Sequence, residues 1–126
     1  MDKIVKFFSK LFEARQMAHI FHLQVKGKEG SGWEHKALND FYDSILELTD
    51  DLIETYQGQF GVVEGYEMID TAATSKIESK EYLKKLAEYI KIERKQIPAD
   101  ESHLHNIIDE IVSLIYKTIY KLENLK

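Results

Sequence analysis

The chain has 126 residues, 44% of them hydrophobic and 31% charged, with 22 acids against 17 bases and no cysteine. Such a length buries a core without covalent staples, and the lack of cysteine excludes disulfides, thiolate metal sites and thiol nucleophiles. A net charge of −5 argues against nucleic-acid binding through overall charge and leaves only local basic patches. Two are present: Lys3, Lys6 and Lys10, then Lys84, Lys85, Lys91, Arg94 and Lys95. Both read as solvated helix faces. The opening "MDKIVKFFSKLF" places lysines among apolar residues at helical spacing, as in a helix and unlike a signal peptide. No apolar run approaches the roughly 20 residues that span a bilayer. The expectation is one soluble, cytoplasmic domain covering 1–126.

The first helix is expected from about Asp2 to Lys26, with Ile4, Phe8, Leu11, Ala18, Phe21 and Val25 forming one stripe. Gly27, Gly30 and Gly32 break the chain. Ser31 and Glu34 stand in the relation of a capping box and open a second helix to about Gln57. It should bury Leu38, Phe41, Tyr42, Ile45, Leu48, Leu52 and Tyr56, with Gly58 and Gly61 ending it. Residues 59–74 lack a sustained stripe and leave room for a short helix. A third helix is expected over Ser79–Gln96, with Leu83, Leu86 and Ile90 inward and Pro98 as its stop. The last helix, capped by Asp100, carries Leu104, Ile108, Ile111, Ile115, Thr118, Leu122 and Leu125 at alternating spacings of four and three. Four such helices predict an all-α antiparallel four-helix bundle, with a long crossover between the second and third.

Two histidines, His22 and His35, flank the first loop, so packing these helices antiparallel brings their imidazoles together. Asp50 and Glu54 share one face of the second helix. Within one chain the two pairs cannot meet, because Asp50 lies roughly 22 Å along the helix from His35. Two copies of the second helix, antiparallel about a twofold axis, would join them into two mixed imidazole–carboxylate sites. Such a donor set suits iron, manganese or zinc. The bland alternative is four polar positions on loop flanks and a solvated face. His19 could supplement the site, although a polar position on an amphipathic helix explains it as well. His103 and His105 read as surface residues near a cap. Tyr82, Tyr89, Tyr116 and Tyr120 read as core or interface aromatics.

The segment His22-Leu23-Gln24-Val25-Lys26-Gly27, then His35, Tyr42, Asp43, Asp50 and Glu54 at matching offsets, resembles the signature of the Dps family. These are small ferritin-like proteins of starved bacteria, and the resemblance covers about residues 15–57. It implies a ferritin-like bundle with a short crossover helix within 62–73, subunits paired about a twofold and a twelve-subunit shell. It also implies a ferroxidase-type reaction: iron(II) bound between subunits is oxidised by hydrogen peroxide, and ferric mineral collects inside. The ligands it implies are His22 and His35 from one subunit and Asp50 and Glu54 from the other. Asn39 stands where the family has a carboxylate, and Asp40 beside it points about 100° away around the helix. Leu23 replaces a tryptophan, and the lysine-rich tail that many relatives use to hold DNA is not in this sequence. Three functions follow as expectations. The first is iron sequestration with oxidation, and the second a catalytically inactive structural or interaction protein. Architectural DNA binding is the third and the least favoured.

Overall fold

The computed structural model describes residues 3–25, 31–67 and 77–125. Four helices make an all-α bundle: α1 (Lys3–Gln24), α2 (Ser31–Phe60), α3 (Ser79–Glu93) and α4 (Ser102–Asn124), with a 3-10 turn at Arg94–Gln96. The expected capping box of Ser31 and Glu34 lies outside what is described, since the Ser31 side chain is not among the described ones. Glu34 instead accepts a hydrogen bond from Ser79 Oγ at 3.3 Å, tying the start of α2 to the start of α3.

Cross-helix contacts fix the directions. His22 meets His35 and Phe8 meets Tyr56, so α1 and α2 run antiparallel. Lys84 pairs with Glu123 and Arg94 with Asp109, so α3 and α4 do the same. Gln59 near the end of α2 donates to Glu101 just before α4, which makes that pair antiparallel as well. Consequently α2 and α3 run parallel, and the connection between them must return along the bundle. The main packing is α1 on α2, α2 on α4 and α3 on α4, with a lighter α1–α3 contact. Hence α2 and α3 occupy opposite corners.

The connection leaves α2 at Gly61, whose φ of +99° suits glycine and whose N–H bonds the Gln57 carbonyl at 2.9 Å. Helix α2 therefore runs three residues beyond the expected Gln57. Gly58 sits inside it, because one interior glycine costs only about 1 kcal/mol. Residues 61–67 form no helix; the rest of the expected crossover helix, 68–73, lies outside the described residues. The segment crosses α1, where Tyr66 packs edge-on to Phe12 and the Glu67 N–H donates to Ser9 Oγ at 3.0 Å.

That cover explains why α1 is buried on more than one side. Beyond the expected stripe, Val5, Phe7, Ser9, Ala14 and Met17 are buried too. The core joins Phe7, Phe8, Leu11, Phe41, Ile45, Leu52, Leu83, Leu86, Ile90, Ile108, Ile111 and Ile115 from all four helices. Each large apolar side chain buried there contributes roughly 1.5–3 kcal/mol relative to exposure. No helix among the described residues is long and apolar enough to cross a membrane.

Two local expectations are corrected at the α3–α4 turn. Glu101, not Asp100, is the residue before α4, and it makes no side-chain cap. The turn is closed by backbone instead, with the Glu101 N–H on the Pro98 carbonyl at 3.0 Å. His105 is also no simple surface residue. Its Nδ1 accepts from Arg94 Nε at 3.2 Å, and its Nε2–H donates to the Ile97 carbonyl at 3.0 Å. Those roles require the neutral ring.

Candidate functional site

His22 and His35 come together as their spacing required. The rings stack with centroids 3.7 Å apart. Each also reaches across the hairpin: His22 Nδ1–H donates to the His35 carbonyl at 2.9 Å, and His35 Nδ1–H to the His22 carbonyl at 3.3 Å. A carbonyl only accepts, so the proton on both rings must sit on Nδ1. In the neutral rings both Nε2 atoms then carry a lone pair. That tautomer is the one a metal-binding histidine commonly adopts.

The seam continues along α1. Tyr42 stacks on His19 at 4.7 Å and meets His22 edge-on at 5.5 Å. The Arg15 guanidinium lies over the same Tyr42 ring at 5.8 Å, and its Nε is buried without a hydrogen-bond partner among the described residues. Thr49, also on α2, is fully buried with an equally unpartnered Oγ1. His19 is thus engaged as an aromatic neighbour, 6.2 Å from His22.

The remaining candidates stand apart from the imidazoles. Asn39 donates to Asp43 at 3.4 Å, and Asp40 pairs with Lys36 at 3.3 Å. Asp50 and Glu54 are exposed on the outward side of α2, with no hydrogen-bond or ion-pair partner among the described residues. Among those residues no three His, Asp or Glu side chains are grouped to hold a metal ion. The stacked pair is also close for sharing one ion. With metal–nitrogen bonds of roughly 2.1 Å, two imidazoles at a right angle hold their ring centres about 4.6 Å apart. The stack must open by about 1 Å to act that way, and among the described residues no third His, Asp or Glu is grouped with the pair to hold an ion.

Around these residues the charge is segregated, a feature that ligand spacing does not reveal. Segment 37–75 holds nine Asp or Glu and no Lys, Arg or His. On α2 its carboxylates Asp43, Glu47, Asp50, Asp51 and Glu54 are all exposed. Opposite this corner, α3 exposes Lys84, Lys85 and Lys91, and the 3-10 turn after it exposes Lys95. Beside them Tyr116 and Tyr120 of α4 are exposed, and so are not core aromatics, whereas Tyr82 is buried as expected. Tyr82 donates to Glu13 at 2.8 Å, and Lys10 bonds the same carboxylate oxygen at 2.8 Å.

Comparison with known proteins corrects the family expectation. None of the curated proteins and none of the solved structures matches the chain. One family model matches residues 31–122, and it is not that of the Dps family. The motif resemblance therefore does not mark kinship. A crossover bundle is open to unrelated sequences, and a histidine pair beside a loop follows from hairpin geometry alone. The match includes His35, Asp50 and Glu54 but leaves out α1 with His19 and His22. By this match the chain belongs to DUF5856, a family of unknown function.

Proposed function

We propose that this protein is a structural or interaction protein, with the outward face of α2 as its binding surface. The observation carrying this reading is the row of five exposed, unneutralised carboxylates from Asp43 to Glu54, in a stretch of 39 residues without a base. Such a row steers basic partners and repels acidic ones. The stacked histidines then serve the scaffold, clasping the α1–α2 hairpin through reciprocal hydrogen bonds. The test is titration of a lysine-rich helical peptide into the protein and into the Asp43→Lys, Glu47→Lys, Glu54→Lys variant. Binding to the first and not the second supports the reading; equal binding, or none to either, counts against it. Duplex DNA is disfavoured by the same charges. A cytoplasmic setting accompanies this reading, since a chain without cysteine needs no oxidising compartment.

A second reading is iron(II) held between two copies of the chain, favoured by the lone pairs left on His22 and His35 Nε2. Asp50 and Glu54 of a twofold-related copy would complete the set, with the stack opened. Binding alone is proposed; peroxide oxidation and a closed shell rested on the family resemblance and are not carried forward. Anaerobic titration of iron(II) tests it. Saturation that disappears in His35→Ala supports the site, and titration without saturation removes it.

A further inference from the structure

The interaction reading leaves the partner open, and the opposite corner of the bundle offers one. We propose that the acidic face of α2 docks on the basic α3–α4 face of a second copy of this chain, giving head-to-tail self-association. The inference rests on the interaction reading and adds the identity of the partner.

Three observations carry it. First, the charges match in sign: Asp43, Glu47, Asp50 and Glu54 form one line along α2, and Lys84 and Lys91 share one face of α3, with Lys95 following in the 3-10 turn. Both groups are exposed. Second, they match in length and interval. Lys84, Lys91 and Lys95 are separated by seven and four residues, as are Asp43, Asp50 and Glu54; reading α2 backwards, so are Glu54, Glu47 and Asp43. Each row runs eleven residues from first to last, roughly 16 Å along α2, so Lys84 and Lys91 on α3 meet two carboxylates in either direction, with Lys95 beyond them on the 3-10 turn. Third, apolar contacts are available beside both rows. Leu46 is exposed on α2, and Ile92, Tyr116 and Tyr120 flank the lysines.

The α3–α4 face also holds opposing groups. Glu123 pairs with Lys84 at 3.2 Å and with Lys80 at 3.9 Å, while Glu81 and Glu88 are exposed on α3. Exposed pairs of this kind contribute little and exchange readily for intermolecular ones. Glu88 stands out, because in either direction it faces a carboxylate of the α2 row. Since α2 and α3 lie at opposite corners, one copy cannot satisfy both faces on a single partner by a twofold. The contact is heterologous and builds a ring or an open chain.

Sedimentation velocity of the full chain tests this, at low and high salt, with two charge-reversal variants. One carries Lys84→Glu, Lys91→Glu and Lys95→Glu; the other carries Asp43→Lys, Glu47→Lys and Glu54→Lys. The wild type is expected to associate at low salt and to disperse at high salt, as exposed charges are screened over about 10 Å at 0.1 M. Each variant alone should be monomeric, and an equimolar mixture should associate again. Glu88→Lys should tighten wild-type association by roughly threefold. A wild type monomeric at every concentration in low salt overturns the inference, as does a mixture that stays monomeric while circular dichroism shows both variants folded. If the wild type is monomeric yet binds the lysine-rich peptide through α2, the copy-to-copy contact falls and the α2 reading stands. If it neither associates nor binds the peptide, both fall.

Discussion

Across the α1–α2 seam the contacts are aromatic, running from the histidine stack with exposed His35 at the loop end to the buried Phe8, whereas across the α3–α4 seam the polar contacts are ion pairs and hydrogen bonds near the surface. The first hairpin stacks His22 on His35, His19 on Tyr42 and Phe8 on Tyr56, and leaves two polar atoms, Arg15 Nε and Thr49 Oγ1, without partners among the described residues. The second is laced by Lys84–Glu123, Lys91–Tyr116 and Arg94–Asp109, with His105 held under Arg94. The difference follows from the crossover. It covers α1, forcing that seam to be buried on more than one side, while α3 and α4 keep a broad wet face. One topology thus gives an α1–α2 hairpin covered along α1 and charged along the outward side of α2, and an α3–α4 hairpin charged on its open face.

The largest expected effect lies in the α1–α2 hairpin. Phe8→Ala should cost about 3–5 kcal/mol, since a fully buried ring is lost where α1 cannot readily collapse onto α2. Urea unfolding measures it, and a loss below about 1 kcal/mol would mean that α1 is not the buried element described.

Next comes the link between the two hairpins. Tyr82→Phe should cost about 1–2 kcal/mol by depriving the half-buried Glu13 of a donor. Burial, with Glu13 adding to it, holds the Tyr82 hydroxyl well above its usual range, and burial pushes Tyr89 up to about 12. Both hydroxyls therefore stay protonated in the fold at a pH where the unfolded chain ionises. Their stabilisation is complete below about pH 10; that of Tyr89 is lost as pH rises through about 12, and that of Tyr82 goes on falling above it, so stability should fall in alkali. Following tyrosinate absorbance alongside circular dichroism checks this. Tyrosine ionisation completed at pH 10 with helicity intact would contradict it.

In the wet hairpin, Arg94→Ala should cost about 1–2 kcal/mol, because it removes the donors to His105 and the Asp109 pair together. A change within 0.3 kcal/mol, by the scatter of ordinary surface substitutions, would reduce that cluster to decoration. The smallest effect has the opposite sign. Thr49→Val removes a buried, unpaired hydroxyl at nearly constant shape, and should be neutral or stabilise by a few tenths of a kcal/mol. A clear loss in thermal unfolding would show that the hydroxyl has a partner after all.

Helices α3 and α4 were the most legible in sequence, because a helix packed on one side shows one clean stripe: Leu83, Leu86 and Ile90, then Leu104 through Thr118, are buried where their spacing puts them. In α1 the stripe was only part of the story. Phe7 and Met17 are buried as well, and periodicity does not register a loop laid over a second face. The meeting of His22 and His35 was legible, being a consequence of antiparallel packing. Their tautomer was not, as it depends on carbonyls brought across the hairpin. Asp50 and Glu54 stand where helix arithmetic puts them, far along α2 from the histidines. The spacing of ligand residues carries no sign of the base-free stretch from 37 to 75, which is visible as composition once charge is counted by segment.

The central claim is that the acidic and basic corners of the bundle are interaction surfaces for each other in different copies. Mixing the two charge-reversal variants in the ultracentrifuge tests it most directly. The account predicts monomers of each alone and association on mixing that salt abolishes. Folded variants that ignore one another would contradict it.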